Sequence, residues 1–250
     1  MASGRQLHNP DRKLIEALTN AFSMVADRER AIQQQAYMKS AMPYYGIAAP
    51  VLRNISRELF KGHPIDQAAV WEATILDLWR NARFREERYG AIELLSFKPY
   101  RQYFSPELMP LLEEFIVSGA WWDYVDNIAI NMVGPLLRGF PRQLAPLLRD
   151  WSVDDDIWRR RTAILAQLKF KGDTDTDLLF AFIEPSISEK EFFLRKAIGW
   201  ALREYSKTDP STVIDYIDAN SSRLSGLTKR EGLKILIKQG VLKKDDVRFG

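Results

Sequence analysis

Residues 188–206 read SEKEFFLRKAIGWALREYS. Phe193, Ala197, Ala201 and Tyr205 recur at every fourth position, and Ile198 and Leu202 lie beside that row. Apolar residues at this spacing share one face of a 3.6-residue period, so the stretch predicts an amphipathic helix. The opposite stripe holds Lys196, Trp200, Arg203 and Lys207, at spacings of 4, 3 and 4.

The same period runs outward along nearly the whole chain, and alternating strand patterns are scarce. It predicts further helices over about 11–26, 29–42, 48–60, 66–81, 84–97, 106–117, 121–137, 141–150, 155–170, 174–183, 210–219 and 227–239. Asn9-Pro10, Ser105-Pro106 and Asp209-Pro210 each place a capping residue before a proline at a first helical position. Gly46, Gly62, Gly172 and Gly240 fall where helices are expected to stop. No long Pro/Gly/Ser linker divides the chain, so residues 1–250 read as one continuous domain. About twelve to fourteen helices with short turns predict an all-α fold of antiparallel helix pairs. Pairs recurring every ~35–45 residues match the period of HEAT-type repeats. An α-solenoid is one solution and a closed irregular bundle is the other. Solenoids cradle extended partners, and their usual task is protein binding.

Composition narrows the chemistry. The chain has 250 residues, no cysteine and two histidines. Disulfides, thiolate nucleophiles and cysteine metal sites are excluded. His8 and His63 are too few for a histidine metal triad, and a His-based catalytic triad is not expected. The net charge of +3 says little as a sum. Its distribution says more. Residues 221–250 hold Arg223, Lys229, Arg230, Lys234, Lys238, Lys243, Lys244 and Arg248 against Glu231, Asp245 and Asp246. No apolar run reaches the roughly 18–20 residues of a transmembrane helix, and MASGRQLHNPDRKL lacks an apolar leader core. A soluble cytoplasmic protein is expected.

Four clusters stand out. In Trp121-Trp122-Asp123-Tyr124-Val125-Asp126, Trp122 and Asp126 are four apart and share a helix face. Asp126 also shares a row with Ala129 and Val133, so its carboxylate is either a structural hydrogen-bonding group or one held for a task. The stripe of Lys196, Trp200, Arg203 and Lys207 combines cations with an indole. It is either a solvated face or a phosphate-binding face with a stacking surface. In Ile157-Trp158-Arg159-Arg160-Arg161, Arg161 lies in the row of Leu165 and Leu168, where a guanidinium needs a carboxylate or phosphate partner. Arg159 and Arg160 read as ordinary surface charge. The fourth cluster, Tyr37-Met38-Lys39 with Tyr44-Tyr45-Gly46-Ile47, reads as interior aromatics before a helix-stop glycine.

No glycine-rich phosphate loop is present. What remains is a half-buried carboxylate, tryptophans and cations. Most hydrolases need a general acid as well as a base or nucleophile. A leaving group that is already cationic departs without protonation, and the remaining task is to stabilise an oxocarbenium-like sugar and position water. A carboxylate and π faces suit that task, and cleavage of N3- or N7-alkylated purines from DNA is such a reaction.

Five blocks resemble one known family: YMKSAMPYYGIAAPVLR (37–53), SGAWWDYVD (118–126), DIWRRRTAILAQLKFK (156–171), KEFFLRKAIGWALREYSKTDP (190–210) and the weaker LTKREGLKILIK (227–238). They resemble the HEAT-like-repeat DNA alkylation repair glycosylases of the AlkD type. The resemblance implies an all-α, C-shaped α-solenoid of HEAT-like helical repeats holding duplex DNA on its concave face. It implies a monomer that excises 3-methyladenine and 7-methylguanine, leaves an abasic site, and keeps the damaged base stacked. It implies no metal or organic cofactor.

The resemblance assigns catalytic roles to Asp126, Trp122 and Trp200, and DNA contacts to Tyr37, Arg161, Lys169, Lys196 and Arg203. Asp126 is expected to stabilise charge at C1′ and orient water, with Trp122 and Trp200 against the deoxyribose. Arg161 is expected to hold the lesion strand, while Lys169, Lys196, Arg203 and the basic C-terminal run neutralise phosphates. The family's first DNA-contacting loop commonly reads GIxTP. Here it is Gly46-Ile47-Ala48-Ala49-Pro50, so contacts there are expected from backbone amides. The alternative is a non-catalytic HEAT-repeat protein that binds DNA structures or protein partners.

Overall fold

The 188–206 stretch forms a helix from Phe192 to Tyr205. It starts later than the apolar period predicts because the Glu191 side chain accepts the Phe193 amide at 3.0 Å and caps it there. Leu194, Ala197, Ile198, Ala201 and Leu202 are buried along one face, as their spacing requires. Each fully buried Leu or Ile contributes about 1.5–3 kcal/mol, which outweighs the helix cost of Gly199.

A computed structural model describes residues 8–243, and all regular structure among them is helical, without a strand. The helices are α1 (Arg12–Met24), α2 (Arg28–Met38), α3 (Ala49–Gly62), α4 (Ala68–Arg80), α5 (Arg85–Ser96), α6 (Met109–Gly119), α7 (Trp122–Ile128), α8 (Gly134–Gly139), α9 (Pro141–Ser152), α10 (Ile157–Leu165), α11 (Thr176–Ile183), α12 (Phe192–Tyr205), α13 (Pro210–Ala219) and α14 (Gly226–Lys238). No helix among the described residues is long and apolar enough to cross a membrane. The basic run from Lys244 onward lies outside the described residues.

Packing divides the chain into two compact units, residues 1–104 and 105–250. In the first, α1, α3, α4 and α5 pack together around Leu14, Leu18, Phe22, Leu52, Trp71 and Ile75. In the second, α7, α10, α12 and α14 form a row in which each helix packs on the next, and α9 and α11 pack against α10. Such stacking of successive helices is the arrangement of helical-repeat proteins. The core of this unit includes Ile164, Leu165, Leu194, Ile198, Leu202, Leu233 and Leu236.

The one helix predicted over 121–137 is three pieces. Between α7 and α8 the backbone widens over Ala129–Val133, and the Gly134 amide donates to the Ala129 carbonyl five residues back. Two residues explain this. Pro135 has no amide to continue the regular ladder. At Gly134 a Cβ would lie 2.4 Å from the Ala166 carbonyl oxygen, so only glycine allows α8 to pass this close.

Three punctuation readings are corrected. Asn9 is not the first cap, because Asp11 accepts the Leu14 amide at 3.0 Å and starts α1 there. Ser105-Pro106 opens only a 3₁₀ turn, Pro106–Leu108, and α6 follows from Met109. Gly46 does not end a helix, since α2 stops at Met38 with Lys39 in the left-handed region. Asp209 does cap α13, accepting the Thr212 amide at 3.0 Å. A second 3₁₀ segment, Lys98–Tyr103, has no counterpart in the periodicity.

Candidate functional site

The Trp-Trp-Asp block separates two tryptophans with different surroundings. Trp121 is extended (φ −152°, ψ 146°) and α7 begins at the next residue. The Trp121 ring lies 5.4 Å from Phe193 and 6.2 Å from Trp158, which are 5.0 Å from each other. Trp121 is therefore packing material. Trp122 is only partly buried and shares its helix face with Asp126, one turn on.

Asp126 faces α10. That helix starts where the Asp156 carboxylate accepts the amides of Trp158 (2.7 Å) and Arg159 (3.1 Å). Its second turn delivers Arg161 in a fork. Nε donates to Asp126 Oδ1 at 2.6 Å and Nη2 to Oδ2 at 2.8 Å. Nη1 donates to the Phe193 carbonyl in the first turn of α12. One guanidinium thus ties α7, α10 and α12 together. The Arg161 side chain is 5% exposed and that of Asp126 12%. Burial pushes the Asp126 carboxyl above its ordinary range, while the bond and charge of Arg161 pull against it. The expectation that Arg161 needs an anionic partner is met by a carboxylate of the chain itself.

The structure scatters the remaining predicted residues. Lys169 is exposed beyond α10, and its Nζ donates to Asn131 Oδ1 at 2.7 Å. Asn131 in turn donates to Asn127 Oδ1 at 2.7 Å, in the turn that carries Asp126. These two asparagines escaped the sequence reading. Their four-residue spacing was visible, but not the widened backbone that aims one at the loop beyond α10. Trp200 is half-buried against the core of the second unit. Lys196 and Arg203, on the same stripe, both bond Glu231 of α14, at 2.9 and 2.6 Å. Tyr37, in the first unit, is 76% exposed at the end of α2. Arg159 and Arg160 are braces rather than free surface charge: Arg159 pairs with Glu113 and Asp154, Arg160 with Glu189.

Within the first unit, the Gly46-Ile47-Ala48-Ala49-Pro50 loop is held from below by one carboxylate. Glu86, 1% exposed, accepts the amides of Tyr45 (2.9 Å), Gly46 (2.8 Å) and Ile47 (3.1 Å). Gln34 donates to the Ile47 carbonyl and Arg30 to that of Gly46. Gly46 has φ +88°, and a Cβ there would lie 2.0 Å from the Asp27 carbonyl oxygen. The loop is fixed before any ligand arrives, and the start of α3 behind it has no side-chain cap.

What unit two offers chemically is a nearly buried carboxylate fastened by a bidentate arginine, a tryptophan one turn away on the same face, and cations on neighbouring elements. Among the described residues, no group of His, Asp and Glu is arranged to hold a metal ion. Comparison with known proteins adds the family. The family model described as DNA alkylation repair enzyme matches residues 18–236. A solved structure titled as a predicted DNA alkylation repair enzyme from Enterococcus faecalis is 30% identical, with a TM-score of 0.74, covering 93% of this chain and all of that one. The search of curated proteins returned no match. A family model that spans residues 18–236, together with a likeness in structure over nearly the whole chain, establishes that this chain belongs to the DNA alkylation repair enzyme family.

Proposed function

We propose that the chain is a monofunctional DNA N-glycosylase that hydrolyses the N-glycosidic bond of cationic N3- and N7-alkylated purines in duplex DNA. The observation that carries this reading is the Asp126–Arg161 pair. It is a carboxylate almost removed from water yet held in a charge-stabilising fork, one turn from a partly exposed tryptophan.

The chemistry needs little more. Alkylation at N3 or N7 has already made the purine positive. As the C1′–N bond breaks, its electron pair cancels that charge, so the base leaves without a proton. The sugar is left as an oxocarbenium-like cation. A fixed negative charge from Asp126 opposes that positive charge in a low-dielectric setting, where such stabilisation is strongest. Water then adds to C1′ and gives up a proton, leaving an abasic site and free alkylpurine. Trp122 offers a π face to the developing cation. Trp200 is assigned to the deoxyribose by this reading, and Arg161 favours the ionised form of Asp126 against its burial. Lys169, Lys196 and Arg203 are the phosphate contacts of this reading, and Tyr37 with the backbone of the 46–50 loop provides contacts from the first unit.

The direct test is release of 7-methylguanine and 3-methyladenine from methylated duplex DNA, followed chromatographically. The wild-type chain should release base well above the spontaneous rate and leave alkali-labile abasic sites. Binding of the duplex without base release would favour a non-catalytic DNA-binding protein, in which Asp126–Arg161 only joins helices.

A further inference from the structure

The ion cluster between α12 and α14 is organised around a glycine. A Cβ at Gly199 would sit 2.6 Å from Glu231 Cβ and 3.0 Å from the Thr228 carbonyl oxygen. Helix α14 can therefore lie this close to α12 only because position 199 lacks a side chain. The close approach places Glu231 over Gly199, between Lys196 one turn before it and Arg203 one turn after. Each carboxylate oxygen then takes one cation: Oε1 lies 2.9 Å from Lys196 Nζ, and Oε2 lies 2.6 Å from Arg203 Nη1. Burial works against the charge on Glu231, but Lys196 and Arg203 outweigh it and hold the carboxyl below its ordinary range. Glu231 remains an anion at neutral pH.

None of the three is sealed from solvent. The side chains of Lys196, Arg203 and Glu231 are 37%, 25% and 17% exposed. Each cation keeps part of its surface in water, where a phosphate can reach it while the bond to Glu231 remains. We propose that Glu231 is an internal phosphate surrogate, which holds Lys196 and Arg203 in position in the free protein and opposes phosphates that arrive on the same two cations. It thereby limits how tightly undamaged backbone is held. This rests on the reading of Lys196 and Arg203 as DNA contacts.

The electrostatics give a magnitude. Two cations sharing one internal anion present a net single charge to DNA instead of two. Removing the anion should therefore steepen the dependence of log affinity on log salt by ~0.9. A phosphate seated on either cation lies about 6 Å from the carboxylate. Two such repulsions at a water-like dielectric weaken binding by about tenfold at low salt.

The test titrates wild type, Glu231→Gln and Glu231→Asp with a fluorescent undamaged duplex over a salt series, with thermal melts in parallel. Glu231→Gln should bind about tenfold tighter at low salt, with the steeper slope, and Glu231→Asp should stay near wild type. The gain should disappear when Lys196 and Arg203 are both replaced by Met, because it acts through them. Unchanged slope with equal or weaker binding by Glu231→Gln overturns the proposal and leaves Glu231 as a brace between helices. A gain that persists without Lys196 and Arg203 also overturns it. If wild type shows no salt-dependent DNA binding, the DNA-contact reading fails first and this inference falls with it.

Discussion

Replacing Asp126 by Asn and, separately, Asp126 and Arg161 together by Leu and Met should separate stability from rate. The pair has two charge-assisted bonds of 2.6 and 2.8 Å between side chains 12% and 5% exposed. Taking away one partner strands a buried charge, which costs about 3–5 kcal/mol. For a chain of this size that lowers Tm by about 2–4 °C per kcal/mol, or roughly 6–20 °C for Asp126→Asn. The double substitution strands no charge. Beyond the pair itself it loses the bond from Arg161 to the Phe193 carbonyl, at about 1–3 kcal/mol, so it should melt well above Asp126→Asn. Activity should not follow. Both variants lack the carboxylate, and loss of one preorganised electrostatic contact costs ~10²–10³-fold in rate. Thermal unfolding and single-turnover release of 7-methylguanine, measured where every variant is folded, separate the two effects. Wild-type rate in Asp126→Asn would refute the catalytic role. Recovery of both Tm and rate in the double variant would reduce the pair to a brace.

Burial lifts the Asp126 carboxyl, so the acid limb of the single-turnover rate should lie above the usual aspartate value of about 3.9, and Arg161→Gln should move it higher. For this raised carboxyl, folding favours the protonated form, so its contribution to stability is present at acid pH and lost as pH rises through its folded value. A limb unmoved by Arg161→Gln contradicts the assignment. Trp121→Ala should destabilise the fold by about 3–5 kcal/mol through the loss of its contacts with Trp158 and Phe193, and lower Tm accordingly. Trp122→Ala should reduce the rate more than the Tm; the reverse order would exchange their roles. Glu86→Gln leaves three buried amides facing an amide side chain, and should destabilise the first unit by about 3 kcal/mol and speed amide exchange at 45–47. Unchanged exchange there would mean that Glu86 does not hold the loop.

The helical class was legible because the apolar period runs over most of the chain, even where individual caps were misplaced. Leu194, Ala197, Ile198, Ala201 and Leu202 are buried where their spacing places them. The break inside 121–137 was harder to read. Pro135 was in view, but the restraint at Gly134 comes from the Ala166 carbonyl, thirty-odd residues away in sequence. Periodicity reports neighbours on one helix and not those on the next. The same limit shaped the site. Asp126 and Arg161 could each be singled out as a charged residue on a packed row, yet their pairing depends on how α7 meets α10. Lys196 and Arg203 looked like free cations on their own helix, and their shared anion belongs to α14. The requirement for glycine at 199 is likewise set by α14, through Glu231 and Thr228.

A pair as buried as Asp126–Arg161 is not required for stability, since apolar residues of similar volume often serve as well or better. Its arrangement makes sense when the carboxylate must be both shielded and charged. Burial alone would strengthen its field but drive it toward the neutral acid. Arg161 opposes that shift while engaging both oxygens. The guanidinium also reduces the net charge of the site, so in the proposed mechanism Asp126 alone does not supply all the stabilisation of a sugar cation. The π face of Trp122 would supply the remainder, so the face shared by Trp122 and Asp126, rather than the ion pair by itself, is where loss of rate without loss of fold should be sought.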